Sequence, residues 1–211
     1  MGNSVAELEE LGRIASGCVL CPLSEGRTQV VFGEGSPTAD LMFIGEAPGL
    51  HEDEQGLPFV GPAGQLLNQL LGEIGMKRSE VYIANVIKCR PPGNRDPRQE
   101  EVDACKDYLR RQLELIQPRV VVTLGNFSTK LLLKRDVGIT RLRGQVYPWW
   151  GRYLVPTFHP AAALRSGEQV LDAIRYDLAL ARQALADPVQ RGEPEAEGPQ
   201  LGEAEQLGLF G

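Results

Sequence analysis

Leu41-Met42-Phe43-Ile44-Gly45-Glu46-Ala47-Pro48-Gly49 is the stretch that decides the fold. Four apolar residues in a row, closed by glycine, proline and one carboxylate, read as a strand buried on both faces that stops at a polar turn. Residues 81–86, 119–124 and 153–158 repeat the pattern. Between these runs the apolar residues fall at helical spacing: Leu66, Leu67, Leu70, Leu71 and Ile74 in residues 63–74, then Val102, Cys105, Leu109, Leu113 and Ile116. Asp96-Pro97 reads as the start of that second helix, a capping residue with proline in the first turn. Gly125-Asn126 opens a short helix, and Val170, Leu171, Ile174, Leu178 and Leu185 mark a long closing one. An acidic opening helix carries Val5, Leu8, Leu11 and Ile14 on one side. Strands alternating with helices predict an α/β domain whose mainly parallel, four-stranded sheet is covered on both faces.

Ligands of such sheets sit beyond the carboxyl ends of the strands. Three of those ends carry polar or glycine-rich residues: Gly45 to Gly49, Asn85, and His159 before Pro160. Their convergence is the first sign of a site.

The chain has 211 residues, 42% hydrophobic and 24% charged, an ordinary balance for one globular domain. No basic patch precedes an apolar run, and the longest apolar stretches are strand-sized, so neither a signal peptide nor a membrane span is expected. The expected compartment is the cytoplasm. A net charge of −6 is unusual for a nucleic-acid binder, but its distribution is uneven. Residues 188–211 carry five glutamates against Arg191, whereas Lys88, Arg90, Arg95 and Arg98 fall together, as do Arg141 and Arg143. A local basic rim can hold DNA without a basic pI; a solvated loop is the plainer alternative.

Cys18, Cys21, Cys89 and Cys105 are the four cysteines. In a reducing compartment a Cys-x-x-Cys pair with two distant partners suits a four-thiolate site for zinc or an iron–sulfur cluster. Spacing alone does not choose between the metals, and buried free thiols are the other reading. Residues 1–187 form the expected domain. Residues 188–211, rich in Glu, Gly, Pro and Gln, read as a disordered acidic tail.

Taken together, these segments resemble family 4 uracil-DNA glycosylases over roughly residues 11–185. Gly-Glu-Ala-Pro-Gly at 45–49 is similar to that family's first motif. Gly-Leu-Pro-Phe-Val-Gly-Pro-Ala-Gly-Gln-Leu-Leu at 56–67 resembles its uracil-stacking segment, and Asn-Val-Ile-Lys-Cys-Arg-Pro-Pro-Gly-Asn-Arg at 85–95 its Asn- and Cys-containing strand end. His159-Pro160-Ala161, followed by Leu164-Arg165, resembles the second motif. The resemblance implies a three-layer α/β/α sandwich and a structural [4Fe-4S] cluster on Cys18, Cys21, Cys89 and Cys105. It implies a monomeric enzyme that flips uracil from single- or double-stranded DNA and hydrolyses its N-glycosidic bond, the first step of base excision repair.

On that reading Phe59 is the plate on which uracil stacks, and Asn85 reads its edge, donating to O4 and accepting from N3–H. Cytosine offers the opposite polarity at both positions and would leave buried groups unpaired, at about 1–3 kcal/mol each. His159, neutral, donates an N–H to the charge that develops on uracil O2 as the bond breaks. Gly45, Glu46 and Ala47 lie beside the base and the attacking water. Another uracil glycosylase family has an aspartate where Ala47 stands, which leaves three readings here: Glu46 holds the water, backbone carbonyls of the first motif hold it, or the dissociative chemistry needs little base assistance. Glu52 is expected to fill the space that a thymine methyl would need, because Gly49 stands where that other family has a blocking tyrosine. Arg90, Arg95 and Arg165 are candidate phosphate contacts and Leu164 a wedge for the vacated space; His51 reads as a surface residue. Gln206-Leu207-Gly208-Leu209-Phe210 resembles the short peptide by which bacterial proteins dock on the replication sliding clamp.

Two rivals are weighed against this. A relative that attaches covalently to uracil-DNA uses a histidine in an inserted loop, but this chain has only His51 and His159. A non-catalytic DNA-binding module or an electron carrier would have no need of Glu46, Phe59, Asn85 and His159 together.

Overall fold

A computed structural model describes residues 2–186. The expected boundary at 187 and the tail peptide at 206–210 lie outside the described residues. The strands are β1 (Glu34–Gly35), β2 (Leu41–Gly45), β3 (Tyr82–Asn85), β4 (Val120–Leu124), β5 (Tyr147–Trp149) and β6 (Arg152–Thr157). They form one sheet in the order β1-β3-β2-β4-β6-β5. The inner four are mutually parallel and match the four expected strands, while β1 and β5 add antiparallel edges that the sequence reading lacked. At two and three residues each, these edges are too short to show a period of two.

The helices are α1 (Gly2–Ser16), α2 (Leu23–Gly26), α3 (Leu50–Gln55), α4 (Pro62–Glu73), α5 (Gln99–Ile116), α6 (Asn126–Leu133), α7 (Ile139–Leu142), α8 (Pro160–Ser166) and α9 (Glu168–Ala186). Alternate residues of β2 divide the core in two. Met42 and Ile44 pack with α1, α5 and α6 through Leu8, Leu109, Leu113 and Leu132. Leu41 and Phe43 pack with α4 and α9 through Leu67, Leu71, Ile174 and Leu178. Helices therefore cover both faces of the sheet, the α/β/α layering expected. No described helix is long and apolar enough to cross a membrane.

Two local expectations change and one holds. The second long helix begins at Gln99, not at Asp96-Pro97, because the Glu101 carboxylate accepts from the Arg98 N–H (2.8 Å) and caps the helix there. The long closing helix is α9, as expected, and the segment after His159 adds a further helix, α8, set off from it by Gly167 at φ +80°. On α1 the buried residues are Leu8 and Ala15, whereas Ile14 is exposed.

Candidate active site

β2, β3, β4 and β6 end on one side of the sheet, and a cavity of about 1150 Å³ opens there. It is lined by Glu46, Ala47 and Glu52 after β2, Phe59 before α4, Asn85 at the end of β3, and His159 after β6. The chain runs from β2 to β3 on one side and then to β4 on the other, so the site lies at the point where strand order reverses.

Gly45 pairs in register with Asn85. A Cβ on Gly45 would collide with Asn85 Oδ1 and with the Phe59 ring, so glycine lets Asn85 and Phe59 approach each other. Asn85 is buried, and its Oδ1 has no hydrogen-bond partner. A buried acceptor left unpaired is costly, so an asparagine kept this way at a cavity wall is poised for a ligand.

Phe59 is also buried and belongs to the α4/α9 side of the core, so it combines a core position with a place in the cavity wall. Its backbone is left-handed (φ +51°), a conformation that a bulky residue adopts only when its surroundings enforce it. The enforcement is visible. Glu52 Oε1 accepts from the N–H groups of Val60 and Gly61, both at 2.9 Å, and its Oε2 accepts from Gly49 N–H (3.2 Å). Arg78 donates to the carbonyls of Pro58 and Phe59.

His159 caps α8. Its Nδ1 accepts from the Ala161 N–H (3.1 Å), so the proton of the neutral ring sits on Nε2. Burial, with the charge of Arg165 and against that of Glu52, pushes its pKa down to about 4. The ring stands 5.5 Å from that of Phe59, centroid to centroid. Behind it, Thr157 donates to the buried Asp177 (2.7 Å), which also accepts from Arg143. Glu46 is half-buried, and burial together with the charge of Asp96 pushes its pKa up to about 7.

The expected DNA contacts divide. Arg95 and Arg165 line the cavity, although Arg95 is bidentate to Glu101 at 2.9 and 2.5 Å. Arg90 lies outside the cavity wall and donates to Asn94 (2.7 Å). Leu164 is 54% exposed on α8, and His51 is exposed at the cavity mouth. Two expected members of the basic rim are corrected. Lys88 is wholly buried, donating from Nζ to the Asn85 carbonyl (2.8 Å) and to Gln112 (2.6 Å). Arg143 is spent on Asp177. Sequence reading missed Arg78 and Asp177 because their partners lie 10 to 44 residues away.

Cys18, Cys21, Cys89 and Cys105 line one small cavity between the loop after α1, the segment after β3, and α5. All four are free thiols. Arg27 donates to Cys89 Sγ (3.4 Å) and the Lys88 N–H to Cys105 Sγ (3.3 Å). Burial raises the pKa of Cys89, and that of Cys105 to about 12, so thiolates here need a positive centre to stabilise them. Among the described residues no three His, Cys, Asp or Glu side chains are grouped to hold a metal ion. A four-iron cube takes one thiolate at each corner and so spaces its ligands more widely than a single ion does. The donor set fits such a cluster.

A family model of the uracil DNA glycosylase superfamily matches residues 32–179. The type-4 uracil-DNA glycosylase of Sulfurisphaera tokodaii is 48% identical, over 74% of this chain and 76% of its own. That of Thermotoga maritima is 46% identical over 79% and 90%. The type-5 enzyme of Pyrobaculum aerophilum is more distant, 33% identical over 72% and 74%. The chain belongs to the uracil-DNA glycosylase superfamily, on the side of its type-4 members.

Proposed function

We propose that this cavity receives uracil flipped from DNA and that the chain hydrolyses its N-glycosidic bond, initiating base excision repair. The unpartnered, buried Oδ1 of Asn85 carries this reading. It would accept from uracil N3–H while the amide N–H donates to O4, a pairing that cytosine cannot make. The ring spacing leaves no room for a base between Phe59 and His159. The two side chains therefore meet uracil differently, Phe59 on its face and His159 at its O2 edge.

As the C1′–N1 bond breaks, the electron pair goes to uracil and positive charge develops on the sugar. His159 Nε2–H stabilises the anion in forming, and water adds to C1′ to leave an abasic site and free uracil. A neutral donor keeps its proton through this step, and the low pKa of His159 favours that form. Glu46, its pKa raised to about 7, is suited to orient the water and take its proton near neutral pH. Ala47 contributes backbone only. Glu52, held by three N–H groups, is a fixed wall beside the base and excludes the methyl of thymine. Arg95 and Arg165 take phosphates at the rim, Arg90 a more distant one, and Leu164 enters the vacated stack.

The four cysteines would hold a [4Fe-4S] cluster, which supplies a structural cross-link when bound. Cysteines gathered as a metal-donor set suit a reducing compartment such as the cytoplasm, and the chain is proposed to act as a monomer. Residues 206–210 would dock on the sliding clamp.

Single-turnover base release from oligonucleotides with U or T opposite G tests the reading of the cavity. Asn85→Ala is expected to slow uracil release about tenfold to a hundredfold, the worth of ~1–3 kcal/mol. Glu52→Ala is expected to admit thymine. Full uracil release by the first variant would remove Asn85 as the reader, and unchanged selectivity in the second would remove Glu52 as the wall.

A further inference from the structure

We propose that Arg78 is a positioning residue for catalysis, fixing the uracil-stacking face of Phe59 from outside the cavity. The inference rests on Phe59 being the plate.

Arg78 opens the short turn before β3 and is not among the residues lining the cavity. Its guanidinium donates through Nη1 to the Phe59 carbonyl (3.3 Å) and through Nη2 to that of Pro58. It is aimed in turn. Nε and Nη2 both donate to Glu34 Oε2, at 2.9 and 2.6 Å, and Nη1 also donates to Asn68 Oδ1 (3.2 Å). The two carbonyls it holds flank the φ of Phe59, the angle in the left-handed region. A strained residue of this kind relaxes unless several contacts hold it.

Glu52 holds the N–H groups of the next two residues, Val60 and Gly61, so the peptide between Phe59 and Val60 is gripped at both ends. A cation thus grips the carbonyls of residues 58 and 59, and an anion grips the N–H groups of 60 and 61. From beneath, Gly64 leaves room for the Phe59 carbonyl, which a Cβ there would strike. Glu52 itself lines the cavity, so its removal would alter the base site directly. Arg78 reaches the plate only through the backbone. A planar, five-donor guanidinium can serve two carbonyls and a carboxylate together, whereas a lysine cannot hold that geometry.

The test is a double-mutant cycle in the full-length protein, with free uracil as the probe of the plate. Arg78→Ala is expected to slow single-turnover release about 10²-fold and to weaken inhibition by free uracil in step, since a small misplacement near the chemistry has that effect. Affinity for abasic-site DNA should stay within about twofold, because phosphate contacts are untouched. Phe59→Ala should do the same, and the double variant should be no slower than Phe59→Ala alone. Arg78→Lys should recover only part of the loss. Fully multiplicative effects, or uracil inhibition unchanged in Arg78→Ala, would overturn the proposal. If Arg78→Ala does not fold, Glu34→Ala, which removes the carboxylate that aims Arg78 and leaves the guanidinium in place, is read by the same criteria. Normal uracil inhibition in Phe59→Ala would instead sink the plate reading, separating the two failures.

Discussion

Two titrating groups line the cavity, and burial moves their pKa values in opposite directions. His159 is held neutral down to about pH 4, so from pH 5 to 9 its Nε2–H donor is constant. Glu46 is raised to about 7, so below neutrality its carboxyl is protonated and cannot take a proton from water. Single-turnover base release is therefore expected to rise with pH through about 7 and then level. Glu46→Gln should be slow and flat across that range. A wild-type profile without a limb near 7 would leave the water to backbone carbonyls. At this scale much was legible. Asn85 and His159 stand at strand ends, and Phe59 sits in a Gly- and Pro-rich loop, all local features. Arg78, Lys88 and Asp177 were hidden, because the meaning of each depends on a partner brought close only by folding. Lys88 illustrates the cost: its neighbours Arg90 and Arg95 made it look like a rim cation, yet its ammonium lies wholly buried against the Asn85 carbonyl.

Among the elements, the segment after β3 does two jobs within five residues. Asn85 ends the strand in the wall of the larger cavity and Cys89 joins the cysteine cavity, with Lys88 hydrogen-bonded to Asn85 on one side and to Cys105 on the other. That cavity also gathers the loop after α1 and one face of α5, elements that otherwise meet chiefly through α1 against α5. A cluster there would cross-link three parts of the chain. The purified protein is expected to contain iron and acid-labile sulfide in equal amounts. Cys105→Ala should lose both and lower Tm by about 6–12 °C, the equivalent of ~3 kcal/mol in a domain of this size. Zinc in place of iron would contradict the cluster, and a Tm untouched by the substitution would contradict the cross-link. The inner strands were readable because both faces of each are buried, which produces unbroken apolar runs. β1 and β5 were not, since an edge of two or three residues with glycine or proline has no pattern to show. The phase of α1 was slightly misjudged for a related reason: a lone Ile14 outweighs the small Ala15 in any apolar count, but Ala15 is the residue that fits against the core.

For the whole molecule, a net charge of −6 is reconciled with a DNA substrate by where the charges sit. The five glutamates of residues 188–211 account for much of the excess, and Arg95 and Arg165 stand at the cavity that must meet phosphates. A chain with so modest a basic face gains from being brought to DNA by something else. A clamp-binding peptide at 206–210 would do that by raising its local concentration. Deleting those residues is expected to abolish co-elution with the sliding clamp while leaving base release from short oligonucleotides unchanged. Clamp binding that survives the deletion would remove the peptide from the account. The measurement that bears most directly on the cavity is base release from labelled oligonucleotides containing U opposite G, U opposite A, single-stranded U or T opposite G, with wild type beside His159→Ala. Release from the three uracil substrates alone, slowed about 10²–10³-fold by the substitution, is the expected result. Tight binding of uracil-DNA with no base released, or a rate indifferent to His159, would contradict it.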